Sequence, residues 1–322
     1  MLRVIAVVAF ICGFSLQAQA ESFDQFLYRL EQQAVQKGFS QSFVSKQFEG
    51  MTPYQRAIEL DRSQSGAAKR PSWPEYRDRV ITRARIEEGR RLLNENRTLL
   101  TRVSNKYGVQ PQYIVALWGL ETSYGKNTGG FDVVQALATL AWEGRRRQFF
   151  TDELWNALRI LQEGHIDRAH FKGSWAGAMG QNQFMPSSFF RFAVDETGDG
   201  RADIWQTRAD IFASTANYLS KSGWVRNHRW GREVRLTRQI PSNFVGLDVK
   251  RPLSFWADYG VIAANNSPLP IENIEASIII PDGLDGKVFL VYDNYRIIMT
   301  WNKSTNFALS VGHLADLIAQ GN

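Results

Sequence analysis

One acidic side chain stands on a stretch that is otherwise apolar. Pro111 suits a first helical turn, where its missing N–H would be unpaired anyway, and the chain then runs Tyr113-Ile-Val-Ala-Leu-Trp-Gly-Leu-Glu121. Ile114, Leu117, Trp118 and Glu121 fall at i, i+3, i+4 and i+7, so the carboxylate shares the stripe that such a helix buries. Loss of water disfavours an ionised carboxylate and raises its pKa. A carboxyl that keeps its proton near neutral pH is a general acid, and a departing sugar oxygen leaves far more readily once protonated. The same spacing also accommodates a glutamate paired with an arginine, or one that caps the helix end at Thr122-Ser-Tyr-Gly125.

Two further segments carry groups that suit a ligand. Lys172-Gly-Ser-Trp-Ala-Gly-Ala-Met-Gly-Gln-Asn-Gln-Phe-Met-Pro186 combines Gly173, Gly177 and Gly180 with the amides of Gln181, Asn182 and Gln183. Glycines allow close backbone approach, and amides both donate to and accept from sugar hydroxyls and acetamido groups, although close helix packing through Gly173 and Gly177 is the better account of the glycines taken alone. Trp175, Phe184, Tyr218, Trp224 and Trp301 are aromatic faces for sugar rings or core residues. Asp195-Glu-Thr-Gly-Asp-Gly200 reproduces the first half of an EF-hand loop, with Asp195, Thr197 and Asp199 at positions 1, 3 and 5 and the carbonyl of Arg201 at 7. Position 12 is Gln206, so a closing carboxylate must come from Asp203 or Asp210. An Asp and Gly turn without an ion is the alternative.

These groups need elements to hold them. Phe23, Phe26, Leu27, Leu30 and Ala34 follow helical spacing between a Ser22 and Gln25 capping box and Gly38. A long arginine-rich helix is predicted over 75–107, with Arg77, Arg79, Arg83, Arg85, Arg90, Arg91, Arg97 and Arg102 mostly on a solvated face. Ala276 to Ile280 and Lys287 to Tyr292 flank the turn-rich 281–286 as antiparallel strands, and Asn306 to Ala319 returns to helical spacing. The predicted organisation is a signal peptide over 1–20, an N-terminal helical domain over 21–107, a catalytic core with the candidate calcium loop over 108–225, a small β-rich domain over 226–300 and a closing segment over 301–322.

Residues 1–20 hold one charge, Arg3, an apolar run from Val4 to Leu16 and then Gln17-Ala-Gln-Ala20, the pattern of a cleavable export signal. The single cysteine, Cys12, follows Ile11, too bulky for a lipoprotein cleavage site, so no lipid anchor is expected. The whole chain of 322 residues has a formal charge of +6, and removal of Arg3 with the signal leaves 37 basic against 32 acidic residues, or +5. Such a surface is steered toward anionic polymers or simply stays soluble.

Trp118-Gly-Leu-Glu-Thr-Ser-Tyr-Gly125, the block from Gly173 to Ser188, Ala216-Asn-Tyr218 and Trp301-Asn-Lys-Ser304 resemble the lytic murein transglycosylases of the B type, and the likeness extends from about Phe23 to Ala319. The resemblance implies an α+β, mainly α fold: a lysozyme-like helical core with an additional helical domain and a small antiparallel β domain. It implies a periplasmic enzyme acting on peptidoglycan glycan strands of N-acetylglucosamine and N-acetylmuramic acid. Glu121 matches the family's sole catalytic acid and base. Ser174, Gln183, Tyr218 and Asn302 match positions that contact substrate or hold the acid, with Tyr124 and Trp301 beside them. Asp195, Thr197, Asp199, Arg201 and Asp210 match its metal loop, although the interval from Asp199 to Asp210 is one residue longer here. The chemistry requires no cofactor; calcium would be structural. A monomer without a membrane anchor or nucleic-acid partner is expected, with cell-wall synthases as candidate protein partners. The implied product is a 1,6-anhydro-muramic end made without water. A hydrolytic muramidase, drawing a second carboxylate from Asp132, Glu143 or Asp167, and a noncatalytic peptidoglycan-binding protein are the alternatives.

Overall fold

Ser22 Oγ accepts from the backbone N–H of Gln25 at 3.2 Å while the Gln25 side chain returns the contact to the Ser22 N–H, so the first described helix opens on the capping box its residues specify. The computed structural model describes residues 21–64, 71–283 and 286–320. The candidate export signal at 1–20 lies outside them. The described residues fall into two compact units, one ending at Gly50 and the other beginning at Met51. The first holds helices α1 (Phe23–Gln36) and α2 (Gln41–Phe48), packed on each other, with Phe26, Leu30, Ala34 and Val44 buried.

The second unit begins with α3 (Gln55–Ser63), α4 (Trp73–Val80), α5 (Arg83–Glu95) and α6 (Arg97–Tyr107). The long helix predicted over 75–107 is therefore three helices. Ile81 leaves the helical region at φ −105° and ψ 72°, and Thr82 caps the next helix by accepting from the Arg85 N–H. Asn96 interrupts again, its buried side chain donating to the Leu92 carbonyl. Arginine favours helix wherever it stands, so its density concealed two cap residues.

Next come α7 (Pro111–Thr122), β1 (Phe131–Asp132), α8 (Val133–Glu143), α9 (Arg147–Gln162), β2 (Lys172–Gly173), α10 (Pro186–Phe192) and α11 (Arg208–Lys221). Leu92 and Leu93 of α5, Leu100 and Val103 of α6, and Ile114 and Leu117 of α7 belong to one apolar cluster. The boundary drawn at 107 and 108 falls at the left-handed C-cap Gly108, where α6 ends.

The remainder comprises β3 (Gly231–Leu236), β4 (Arg251–Pro252), α12 (Leu253–Asp258), β5 (Val261–Ala263), β6 (Glu275–Ile279), β7 (Val288–Val291), α13 (Asp293–Trp301) and α14 (Thr305–Ala319). The strands form one sheet of order β4-β6-β7-β3-β5, with Ile279 opposite Phe289 across the predicted hairpin. Strand alternation divides β7 between two cores: Val288 and Leu290 enter the small-domain cluster, whereas Phe289 and Val291 enter the helical one. Strand β7 is thereby fixed to the helical body, and α13, which follows it, carries Trp301 to a defined place. Among the described residues no helix is long and apolar enough to cross a membrane.

Candidate active site

Helix α7 is apolar nearly all round. Tyr113 to Gly119 and Thr122 are all buried, so Glu121 ends a central helix, whereas its spacing had suggested one with a single buried stripe. Glu121 retains a strip of accessible surface, yet its carboxyl is packed closely enough for burial to push its pKa up to about 7. The opposing influence is Trp301, whose indole Nε1–H donates to Glu121 Oε1 at 2.7 Å and favours the carboxylate. Among the described residues the Glu121 carboxyl joins no ion pair and no hydrogen bond other than that of Trp301, which removes the arginine-paired alternative.

Trp301 is held in turn. Its ring lies 4.6 Å from that of Tyr218 and 5.3 Å from that of Phe184, and Tyr218 Oη donates to the Thr300 carbonyl at 2.8 Å. Tyr218 belongs to α11 and Phe184 follows Gln183, so three distant segments meet at the indole that holds the carboxyl. Gln183 sits at φ 51°, its amide donating to the carbonyls of Thr128 and Gly180. Ser174 Oγ accepts from the N–H groups of Ala176 and Ala178 and organises the loop that leads to Met179, which pairs with Phe184. Asn302 is exposed directly after Trp301, its Oδ1 accepting from the Ser304 N–H.

In the glycine-rich loop Gly177 follows the packing alternative. A Cβ at Gly177, where φ is 86°, would stand 2.5 Å from Leu137 Cδ2, so this residue serves close packing instead of ligand approach. Its neighbour Gln181 ties the loop to α7: Oε1 accepts from Trp118 Nε1 at 2.7 Å and Nε2 donates to the Trp205 carbonyl at 2.7 Å. Phe184 and Trp224 are buried core rings. Tyr124, expected at the substrate, is also buried, with its hydroxyl donating to the Arg85 carbonyl at 2.6 Å and its ring edge-on to Trp118.

Tyr76 on α4 is a neighbour that the sequence did not reveal. Burial raises its hydroxyl's pKa, and Arg79, Glu121 and Arg85 all act on it through their charges. It lines a groove of about 1140 Å³ together with Arg79, Asp282, Lys303 and Asn306. Nothing local marks a tyrosine 45 positions before the acid as its neighbour; only the packing of α4 reveals it.

The candidate second carboxylates are engaged elsewhere. Asp132 pairs with Arg168 at 2.8 Å and caps α8, Glu143 pairs with Arg62 at 3.0 Å, and Asp167 pairs with His170 at 2.6 Å.

In the Asp195 to Arg201 turn, Asp195 Oδ1 accepts from the N–H groups of Gly198 and Asp199, and Oδ2 from that of Gly200. Thr197 Oγ1 also donates to Asp195, and the Arg201 N–H donates to Asp199. Asp210 is buried on the first turn of α11, its oxygens accepting from the Glu196 and Asp203 N–H groups; burial raises its pKa, and the charge of Asp195 adds to the rise. The donor set is of hard oxygens and suits calcium in kind. Among the described residues, however, no three acidic, histidine or cysteine side chains gather around one point, and the backbone amides satisfy Asp195 without an ion.

Residues 22–316 match the sequence family described as the transglycosylase SLT domain. The chain is 32% identical over 249 residues to the membrane-bound lytic murein transglycosylase B of Escherichia coli (strain K12), covering 77% of this chain and 68% of that protein. Its structure superposes with a TM-score of 0.89 on SltB3 from Pseudomonas aeruginosa in complex with NAG-anhNAM-pentapeptide, at 40% identity over 93% of this chain and 80% of that one. It also superposes with a TM-score of 0.79 on the Escherichia coli lytic transglycosylase Slt35 in complex with calcium, at 30% identity over 92% and 93% of the two chains. The α+β, mainly α fold that the motif likeness implied is thus the fold present, and the chain belongs to the lytic transglycosylase family that carries the transglycosylase SLT domain.

Proposed function

We propose that this protein is a peptidoglycan lytic transglycosylase that cleaves the β-1,4 bond between N-acetylmuramic acid and N-acetylglucosamine, with Glu121 as acid and then base. The observation that carries the reading is a buried carboxyl with a pKa of about 7 whose bonding partner is the neutral donor Trp301. At neutral pH such a group exists in both protonation states, as a residue that both gives and takes a proton requires.

Protonated Glu121 donates to the glycosidic oxygen as the bond from that oxygen to muramic C1 breaks. The resulting carboxylate, stabilised by the Trp301 N–H, removes the proton of the C6 hydroxyl while O6 bonds to C1. Glu121 recovers its proton, the product end is 1,6-anhydro, and neither water nor a second carboxylate takes part. Two-carboxylate glycosidases require the partner that Asp132, Glu143 and Asp167, each engaged by a basic side chain of its own, do not supply.

Ser174, Gln183, Tyr218 and Asn302 line the sugar cleft in this reading, Trp301 and Tyr124 position the acid, and the Asp195 to Asp210 loop takes a structural calcium through Asp195, Thr197, Asp199, the Arg201 carbonyl and Asp210. Export to the periplasm, by way of residues 1–20, completes the proposal. Glu121→Gln tests it: the variant should still sediment with purified sacculi and melt cooperatively, but release no soluble fragments. Fragment release at the wild-type rate would refute it.

A further inference from the structure

We propose that Arg85 is a positioning residue for Glu121, acting through the backbone turn that leaves the catalytic helix. The inference rests on the assignment of Glu121 as the reacting acid.

Three consecutive residues after α7 have left-handed backbone: Ser123 at φ 50°, Tyr124 at 62° and Gly125 at 82°. Such conformations strain a non-glycine residue, so two in succession persist only where neighbours impose them. From within, the Ser123 and Tyr124 N–H groups donate to the Gly119 and Trp118 carbonyls, and the Gly125 N–H donates to Thr122 Oγ1 at 3.0 Å. From outside, the turn is clasped by Arg85 of α5. Its Nη2 donates to Ser123 Oγ at 3.0 Å, its Nη1 donates to the Val80 carbonyl, and its own carbonyl accepts from Tyr124 Oη at 2.6 Å.

One residue therefore holds both non-glycine members of the strained turn, one through its side chain and the other through its backbone. The face of α5 below it is shaped for the same ring, because a Cβ at Gly89 would stand 2.5 Å from Tyr124 Oη. Glu121 lies two residues before Ser123, so the clasp fixes the helix end from which the carboxyl projects toward Trp301. A planar guanidinium with two divergent donors suits this bridge, and a lysine ammonium does not reproduce it.

The test uses the full exported chain, with Arg85→Met, Ser123→Ala and, as control, Arg83→Met, whose guanidinium pairs with exposed Glu87. Glycan cleavage by Arg85→Met should show kcat lowered by roughly 10 to 100-fold with KM within about twofold, the scale of a small misplacement of a reacting group. The alkaline limb of its pH profile should move upward as the Trp301 bond to Glu121 loosens. Ser123→Ala, which removes one bond and leaves Val80 held, should show the same displacement with a smaller loss in kcat, and it keeps the test open if Arg85→Met folds poorly. Unchanged kcat and pH limb in a folded Ser123→Ala, or in Arg85→Met below its melting temperature, would overturn the inference. If Arg83→Met cleaves normally, failure of the Arg85 prediction leaves the role of Glu121 standing; absence of cleavage by the wild type would instead remove the assignment beneath it.

Discussion

Trp301 Nε1–H donates to Glu121 Oε1 at 2.7 Å across 180 positions of sequence. The contact exists because β7 is buried on both faces and α13 continues from it, returning the end of the chain to α7. A hydrogen bond to the charged form of a buried acid lowers its pKa, so this indole keeps Glu121 near 7 against burial that pushes it upward.

Trp301→Phe removes the donor and keeps an aromatic ring. A bond to a charged group is worth about 1.5 to 3 kcal/mol, or roughly one to two pKa units. The alkaline limb of kcat against pH should therefore rise by that amount, and activity at the wild-type optimum should fall about tenfold because the carboxylate left after proton donation is less well stabilised. A pH profile of sacculus solubilisation by the two proteins measures both. An unmoved limb would show that the indole does not govern the acid.

Glu121 also links stability to pH. Its folded pKa of about 7 is raised from an ordinary 4.5, so its contribution to stability is fully present below about pH 4.5 and is lost as pH rises through 7. The loss is of order 3 kcal/mol by pH 9, since each pKa unit corresponds to about 1.4 kcal/mol. Glu121→Gln escapes it. Melting curves at pH 5 and pH 8.5 should show the variant gaining stability over wild type only at the higher pH; a constant offset would contradict the raised pKa.

A separate prediction concerns the scaffold. Asp61 is 1% exposed and pairs with Arg145, itself partly open to solvent. Arg145→Met leaves a buried carboxylate without its cation and should lower stability, by an amount that the solvation of the exposed arginine reduces. Urea denaturation measures the loss, and kcat at 25 °C should remain within about twofold.

The calcium reading predicts that the melting temperature rises with added calcium and returns with chelator. At 100 times the dissociation constant an ion that binds the folded form alone adds about 2.7 kcal/mol. Asp199→Ala should abolish the rise. A melting curve indifferent to calcium would favour an ion-free turn held by the amides around Asp195.

Much of the site could be read from sequence because its parts are local. The helix from Pro111 and the hairpin from β6 to β7 follow from periodicity and turn residues, and Glu121 was conspicuous as an acid among apolar neighbours. What escaped depends on long-range packing. Trp301 was legible as an aromatic near the site, but not as the donor to Glu121, and Tyr76 carries no signal of its proximity. Tyr124 and Gly177 fit a sugar cleft by residue type, yet their freedom is taken by Arg85 and Leu137, which spacing along the chain does not show. The arginine-rich segment misled for the opposite reason: its propensity was uniform, whereas Thr82 and Asn96 divided it through single hydrogen bonds.

The chemistry assigned to Glu121 is decided by the mass of the ends it leaves. Purified protein should release muropeptides from sacculi whose muramic ends are lighter by one water than reducing ends, and Glu121→Gln should release none. Reducing ends from the wild type, or undiminished release by the variant, would contradict a single acid that closes the C6 hydroxyl onto C1.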